Sequence, residues 1–308
     1  MGKTIKEIIK KPSLLFLTGG HRELFNWMSD KKYLEIAYKI CTGLELNLDN
    51  PNRYNEKIQW LKLYDRNPRY TKWVDKYEAK KLASEVVGEE YIIPTIGVWD
   101  TFDQIDFGLL PDKFVLKCTH DSGGIVICTD KSKLDIKKTR KKINKCLKHN
   151  FYWGQREWPY KDVKPRIIAE QYMIDRKTGE LPDYKFFCFD GEVKALFIAT
   201  ERQKLGEDTK FDFFDSEFNH LPFTNGHPNA HTLPEKPENF ELMKQLARKL
   251  SKDIPHVRVD LYEINGKVYF GELTFAHWSG LMPFEPEEWD YTFGSWINLP
   301  KGVNYGCK

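Results

Sequence analysis

The sequence has no hydrophobic run long enough to cross a membrane and no strong excess of charge of either sign. Its 308 residues include 48 lysines and arginines and 45 aspartates and glutamates, a net charge of +3. This balance argues against a protein that coats nucleic-acid duplexes. A transmembrane helix needs ~20 consecutive apolar residues, and the apolar run at 13–17 is also too short for the core of a secretion signal. We therefore expect a cytoplasmic protein with no nucleic-acid partner.

Cysteine is sparse, and no two cysteines have the CxxC spacing of zinc ribbons or thioredoxin-like redox sites. The six residues are scattered through otherwise apolar segments, which predicts buried free thiols in a reducing compartment. They are Cys41, Cys118, Cys128, Cys146, Cys188 and Cys307.

Two common phosphate-binding motifs are also missing. The pair Gly123-Gly124 is not followed by Gly-Lys-Ser or Gly-Lys-Thr, so it is not a Walker loop. A strand rather than a helix is predicted after it, which excludes a Rossmann fingerprint.

What the chain does contain is typical of a globular α+β protein. Apolar residues make up 41% and charged residues 30% of the sequence, and the length allows two or three subdomains. Apolar periodicity predicts helices up to about residue 90, then mostly strands and hairpins, so antiparallel sheets are expected. The later predicted segments are strands 114–118, 125–128, 166–173, 184–189, 193–199 and 212–215, and helices 131–148 and 237–253.

The most informative stretch is a predicted hairpin at 257–275, built around Asn265-Gly266. Away from the turn, its odd-numbered residues are mostly apolar and its even-numbered residues mostly polar. A two-residue turn would place Asp260 and Glu272 on opposite faces of the hairpin. The apolar pattern therefore favours a three-residue loop at 264–266 with a left-handed glycine.

The polar face of this hairpin then carries two carboxylates, Asp260 and Glu272, together with Arg258 and Thr274. Like charges held this close need a cation between them, and hard oxygen ligands suggest magnesium. The alternative is a solvated hairpin face with a salt bridge, because antiparallel sheets commonly have one wet face.

Four pieces in chain order together suit a nucleoside triphosphate. Two lysines would spread positive charge along the phosphates, a glycine loop would bring backbone N–H groups close to them, a strand end would bind the adenine, and the carboxylates would hold magnesium. Each piece alone has a plain alternative, such as a β-turn or a snorkelling lysine. The pieces are Lys76, Lys117 with Ser122-Gly123-Gly124, Glu170-Gln171-Tyr172, and Arg258-x-Asp260 with Glu272-x-Thr274.

The chain resembles the TupA-like branch of the ATP-grasp superfamily, which is associated with teichuronopeptide and other surface polysaccharides. Superfamily members join a carboxylate to an amine or another nucleophile. The resemblance covers nearly the whole chain. It rests on the segments Asn52–Trp60, Asp75-Lys76-Tyr77, Val115–Cys118 with His120–Gly123, Tyr184-Lys185-Phe186, Val257–Asp260 and Gly271–Phe275.

The resemblance implies an ATP-grasp fold, with ATP gripped between the antiparallel sheets of two α+β subdomains. It divides the chain into a helical leader at 1–110, a small subdomain at 111–173 and a metal-binding subdomain at 174–308. It implies residues that contact the phosphates, a hinge segment that binds the adenine, and a residue that contacts the ribose. The implied nucleotide residues are Lys76, Lys117, Ser122, Gly123, Gly124, Glu170, Gln171, Tyr172 and, for the ribose, Asp175.

For the chemistry, the resemblance implies ATP and Mg²⁺ as cofactors, with the metal on Asp260 and Glu272. Many ligases have asparagine where this chain has Thr274, whose hydroxyl can still reach the metal or its water. Arg258 would contact the transferring phosphate and the tetrahedral intermediate. The acyl group would lie against Ser279-Gly280.

Three further residues are substrate candidates from their position in the sequence. Lys185 and Arg202 flank the middle hairpin and would bind the substrate carboxylate, although surface basic residues are an equal alternative. His120 would contact phosphate or act as a base, but a lone histidine in a loop commonly does neither.

The implied reaction is ADP-forming amide synthesis through an acyl phosphate. Its substrates would be an amino acid and a sugar-containing acceptor, with possible peripheral contact to a membrane-linked glycan. Two other functions stay open. The run Asp212–Asp215 resembles a metal site of a glycosyltransferase, and the aromatic C-terminal region is compatible with a non-catalytic carbohydrate-binding module.

Overall fold

The computed structural model describes residues 14–121, 123–177, 179, 181–201 and 209–300. The predicted α+β class is confirmed, because helices pack around two antiparallel sheets of four and six strands. None of the helices in these ranges has the length and apolar character needed to span a lipid bilayer.

Five helices open the described chain. The second begins at Ser29, whose side chain accepts a hydrogen bond from the Lys32 amide, and ends at Gly43 with φ 77°. Its apolar face is buried through Tyr33, Leu34 and Ala37, as its 3.6-residue periodicity predicts. The helices are α1 (Leu14–His21), α2 (Asp30–Thr42), α3 (Tyr54–Tyr64), α4 (Arg69–Val74) and α5 (Glu78–Val87).

The four-stranded sheet has the strand order β1-β4-β2-β3 and packs one face against a helix rich in lysine. Alternation sets its two faces, because successive side chains of a strand point to opposite sides. Phe114, Leu116 and Cys118 face the core, so Lys117 faces away from it. The elements are β1 (Thr95–Trp99), β2 (Phe114–Cys118), β3 (Val126–Cys128), α6 (Ile136–Leu147), α7 (Tyr152–Gln155) and β4 (Ile167–Gln171).

The six-stranded sheet has the order β10-β9-β5-β6-β7-β8 and is covered on both faces. One face packs on α5 and α8 through Phe186, Leu196 and Val259. The other face is aromatic at one end, where Phe187 and Phe197 meet α3 and α9, and charged at the other end. Its elements are β5 (Asp183–Phe189), β6 (Glu192–Thr200), β7 (Lys210–Asp215), β8 (His220–Leu221), α8 (Phe240–Leu250), β9 (His256–Ile264), β10 (Lys267–Thr274) and α9 (Glu288–Trp296).

The β9–β10 hairpin keeps the predicted polar face but not the predicted turn. Ile264 pairs with Lys267, so the loop is the two residues Asn265 and Gly266, at φ 51° and 75°. The three-residue loop predicted from the sequence is therefore wrong. The register instead shifts by one residue at Gly271, and beyond this bulge Glu272 pairs with Asp260. A bulge inserts an unpaired residue, which brings both carboxylates to the same face.

Strand β1 lies before residue 110 but pairs with β4 within the four-stranded sheet. The division of the chain at 110 and 173 stays a prediction. Among the cysteines, all predicted to be buried thiols, Cys118, Cys128 and Cys188 are buried free thiols, whereas Cys41 and Cys146 are only half-buried. Cys307 lies outside the described residues.

Candidate active site

An arginine, a lysine and a carboxylate form a compact charged cluster on the large sheet. Nε and Nη2 of Arg258 each lie 2.7 Å from an oxygen of Asp260. Strand β5 adds Lys185, whose Nζ lies 2.5 Å from Asp260 and 2.6 Å from Asp183. Residues 258 and 260 share a face of β9, and Lys185 pairs with Asp260 across the ladder, so strand alternation builds the cluster.

The buried charges of this cluster stabilise one another. Burial would raise the pKa of Asp260, but Arg258 and then Lys185 hold it below its usual range. Burial opposes the charge of Arg258 as well, yet the carboxylate of Asp260 raises the pKa of the guanidinium. Asp260 is therefore an ionised carboxylate, the form that a metal requires.

The predicted metal ligands Asp260, Glu272 and Thr274 lie together. Thr274 donates a hydrogen bond to Glu272 over 3.3 Å, and Glu272 pairs directly with Asp260 across the strands. Within the described ranges no three His, Cys, Asp or Glu side chains are grouped to hold a metal alone. Magnesium is usually held by one or two carboxylates plus substrate phosphates and water. The donor set fits an ion of that kind, held by Glu272 and by Asp260 once it yields an oxygen from Arg258 or Lys185.

A second cluster lies on the small sheet and includes a lysine that sequence reasoning missed. Nζ of Lys80 lies 2.6 Å from one carboxylate oxygen of Glu170, and Nζ of Lys117 lies 2.5 Å from the other. Lys80 lies on α5, four residues after Lys76, which precedes the helix. Although burial opposes it, Lys117 and Lys80 lower the pKa of Glu170 to about 2.

Glu170 should make stability fall in acid. Its folded pKa of about 2 lies below the usual 4.5, so its stabilising contribution is full above about pH 4.5 and is lost as the pH falls through about 2. A shift of this size corresponds to roughly 3 kcal/mol. We expect the free energy of unfolding to fall more steeply between these pH values in the wild type than in Glu170→Gln, as measured by urea denaturation. Parallel pH profiles would contradict this.

One tyrosine lies within electrostatic reach of both clusters. Tyr262 lies on β9 and is half-buried. Burial raises the pKa of its phenol well above the usual value, and so do Asp183 and Glu272 of the large sheet and Glu170 of the small sheet. The charged clusters of the two sheets are therefore close to each other in space.

The glycine loop is held by a hydrogen bond from Lys76. Nζ of Lys76 donates to the Asp121 carbonyl over 2.7 Å. A side chain at Gly124 would meet Cys146 Sγ at 3.0 Å, so close packing favours a residue without a side chain here. Gly123 is exposed, and its N–H donates to the Asp121 carboxylate. Ser122 lies outside the described residues.

His120 is buried away from the loop surface, 3% exposed, with Nε2 at 3.1 Å from the carbonyls of Cys146 and His149. Burial lowers its pKa. These contacts are those of a packed, neutral histidine, and its role at phosphate or as a base stays a prediction.

The predicted adenine hinge, residues 170–172, lies at the end of β4. The side chain of Gln171 is exposed, and the backbone N–H of Gln171 donates to the Pro94 carbonyl. Tyr172 is half-buried. Asp175 accepts the N–H of Asn265 over 2.7 Å. It therefore ties this segment to the β9–β10 turn, and the ribose contact stays a prediction.

The predicted acyl loop is an unusual left-handed turn held by α3. Trp278, Ser279 and Gly280 have φ of 47°, 59° and 62°. The Ser279 carbonyl accepts from Gln59 over 3.0 Å and from Lys62 over 2.6 Å. Neither helix residue was singled out from the sequence. The other substrate candidate, Arg202, lies outside the described residues.

The features that supported other functions have structural roles here. Asp212 and Asp215 are three residues apart on β7 and face opposite sides, so they do not form a single metal site. Asp212 is fully buried and accepts the Ala230 N–H. Trp289 and Trp296 pack into the aromatic core around Phe293.

Comparison with known protein families shows to which family the chain belongs. A model described as "TupA-like ATPgrasp" matches residues 56–298. The chain belongs to the TupA-like ATP-grasp family. The ATP-grasp fold expected from the resemblance is thereby confirmed, and ATP is the ligand class for which the fold is named. The comparison with curated proteins found no match.

Solved structures similar to this TupA-like chain include D-alanine–D-alanine ligases and an ATP-grasp ligase. D-alanine–D-alanine ligase from Bacillus anthracis, complexed with ATP, is 14% identical with a TM-score of 0.38, over 68% of this chain and 62% of that one. The enzyme from Helicobacter pylori is 13% identical with a TM-score of 0.39, over 80% and 70%. ATP-grasp ligase PsnB with minimal precursor is 8% identical with a TM-score of 0.37, over 68% and 55%.

The TupA-like chain thus spans less than two thirds of the length of the first and third of these ligases. Identities and TM-scores this low carry no information about the function of the chain.

Proposed function

We propose that the protein is an ATP-dependent carboxylate–amine ligase that forms ADP through an acyl phosphate. The observation that carries this is the pair of charged clusters, one on each sheet. Lys80 and Lys117 surround Glu170 on the small sheet, and Arg258 lies with the acidic pair Asp260 and Glu272 on the large sheet. Lysines on one sheet and carboxylates on the other suit a triphosphate whose charge is shared between lysines and magnesium.

The first step would be attack of a substrate carboxylate oxygen on the γ-phosphorus of ATP. The bond to the β–γ bridging oxygen breaks, which gives an acyl phosphate and ADP. An amine then attacks the acyl carbon, and phosphate leaves as the amine loses a proton. No covalent nucleophile of the protein is needed, because positioning and charge neutralisation supply most of the rate enhancement. Magnesium, held by Glu272 and Asp260, would supply charge neutralisation at the phosphates.

Four basic side chains have roles in the proposed reaction. Arg258 stabilises negative charge on the transferring phosphate, and Lys185 binds the substrate carboxylate after leaving Asp260. Lys80 and Lys117 bind phosphate oxygens in exchange for Glu170. The left-handed turn at 278–280, fixed by Gln59, forms one wall of the acyl site.

For the substrates, we propose an amino acid and a uronic-acid or other sugar acceptor of surface polysaccharide assembly, in the cytoplasm. The support for this is the family itself, because TupA-like chains are associated with such polymers. Contact with a membrane-linked acceptor would be peripheral.

Mg²⁺-ATP should stabilise the protein, and ADP should be released only when the correct acid and amine are present. We expect Tm to rise with Mg²⁺-ATP, because a ligand that binds only the native state stabilises it by mass action. ADP release should then be screened over amino acids and uronate sugars. A nucleotide sugar that raises Tm when ATP does not would support the transferase instead. No response to either would leave only a carbohydrate-binding role.

A further inference from the structure

Most of the hydrogen-bonding capacity of Arg258 is already used inside the protein. Nε and Nη2 donate to the two oxygens of Asp260, Nη2 also donates to Thr274 Oγ1 over 3.0 Å, and Nη1 lies 2.7 Å from Nδ1 of His277. A guanidinium has five N–H groups and no acceptor. Among the described residues, one N–H on Nη1 therefore remains for a ligand.

The chain of hydrogen bonds continues behind His277. Because a guanidinium only donates, Nδ1 of His277 must accept and carries no proton. Nε2 lies 3.0 Å from Oδ1 of Asn225, and Nδ2 of Asn225 donates to the carbonyls of Met282 and Pro283 over 3.1 and 3.0 Å. These two carbonyls set the orientation of the amide. The Asn225 oxygen therefore faces His277, whose Nε2 carries the proton.

Packing holds the imidazole of His277 still. Its ring meets the Phe187 ring edge-on, with centroids 5.1 Å apart, and lies 5.2 Å from the ring of Phe197. The residue is 3% exposed. Burial, and after it the charges of Arg258 and Lys185, lower the pKa of His277 well below its usual value. The histidine is thus a fixed, neutral hydrogen-bond acceptor.

We propose that His277, supported by Asn225, is a positioning residue that fixes the guanidinium plane of Arg258 and leaves its one remaining N–H for the transferring phosphate. The inference rests on the proposed ligase function. A neutral acceptor suits this role, because a second carboxylate would neutralise the arginine that must attract phosphate. The ring of Phe197, whose centroid lies 5.7 Å from Cζ of Arg258, covers one face of the guanidinium without removing charge.

Kinetics of His277 variants test the proposal. His277→Leu removes the acceptor at similar volume, and we expect kcat to fall ~10-fold or more, as misplacement of a reacting group does. His277→Asn keeps an acceptor oxygen near the position of Nδ1 and should recover most of the rate. In an Arg258→Ala background, adding His277→Leu should cost less than about twofold, since residues that act as a unit are not additive. Equal losses in both backgrounds would overturn the proposal.

A second measurement does not depend on turnover. In protein labelled with ¹⁵N-arginine, rotation about the Cζ–Nη bonds of Arg258 should be slow in the wild type and faster in His277→Leu. Arg258→Lys identifies the resonance. Unchanged rotation would refute the positioning role even if no ligase substrate were found, which separates this inference from the proposed function. If His277→Leu does not fold, Asn225→Ala can be used instead, because it leaves the histidine in place. Rotation in Asn225→Ala should also be faster than in the wild type. Unchanged rotation in this variant would refute the proposal.

Discussion

Replacing Arg258 by alanine is expected to lower turnover by ~10²–10³-fold, the typical loss when a preorganised contact to a transition state is removed. The guanidinium is 8% exposed and is held by Asp260 and His277 before any ligand arrives. Little reorganisation is therefore needed when negative charge develops on the phosphate. KM for ATP should change much less than kcat, because in the proposed site the lysines of the small sheet would bind the nucleotide equally in the ground state and the transition state.

Two controls separate catalysis from folding in this experiment. Removing Arg258 breaks a buried ion pair, which commonly costs about 3–5 kcal/mol, so rates must be expressed per folded enzyme. Arg248→Ala removes an exposed arginine on α8 whose ion pair with Glu192 is 3.5 Å long. It should leave turnover unchanged. Arg258→Lys keeps the charge but loses the fork geometry, and should recover only part of the rate. Wild-type turnover by Arg258→Ala would exclude the residue from the mechanism.

The large-sheet cluster could be predicted from the sequence because strand alternation is a local rule. Parity placed Arg258 and Asp260 on one face, and the structure agrees. The turn was predicted wrongly because parity alone does not distinguish a longer loop from a bulge further along the strand. A side chain at Gly271 would lie 2.9 Å from the Asp260 carbonyl. The glycine at the bulge was the signal that separates the two.

The parts that could not be predicted depend on contacts distant in sequence. Lys80 reaches Glu170 from a helix ninety positions earlier, and Asn225 supports His277 from a loop outside the hairpin. Lys76, predicted to contact phosphate, donates to the Asp121 carbonyl in the glycine loop, a contact that the sequence did not indicate, and its phosphate contact stays a prediction. Residue type and spacing identify a helix face or strand face, but the packing of separate elements decides which partner a side chain meets.

Neutralising the two carboxylates of the hairpin one at a time should give two different kinds of loss. Asp260 is 1% exposed and balances both Arg258 and Lys185. Asp260→Asn leaves these cations short of a counter-charge, so we expect a loss of about 3–5 kcal/mol in the free energy of unfolding, together with loss of activity. The side chain of Glu272 is 42% exposed and its ion pair with Arg258 is 3.8 Å long. Glu272→Gln should change stability by less than ~1 kcal/mol.

Activity should nevertheless fall in Glu272→Gln, because a neutral amide is a poor substitute for a carboxylate in holding a hard divalent cation. Urea denaturation gives the stability of each variant, and ADP release titrated with Mg²⁺ gives its metal requirement. We expect Glu272→Gln to need a higher Mg²⁺ concentration at unchanged stability. Glu263→Gln is a matched control, because this carboxylate lies on β9 but bonds to Asn239 rather than to the charged cluster. If Glu272→Gln and Glu263→Gln show the same Mg²⁺ dependence as the wild type, the facing carboxylates do not bind the metal.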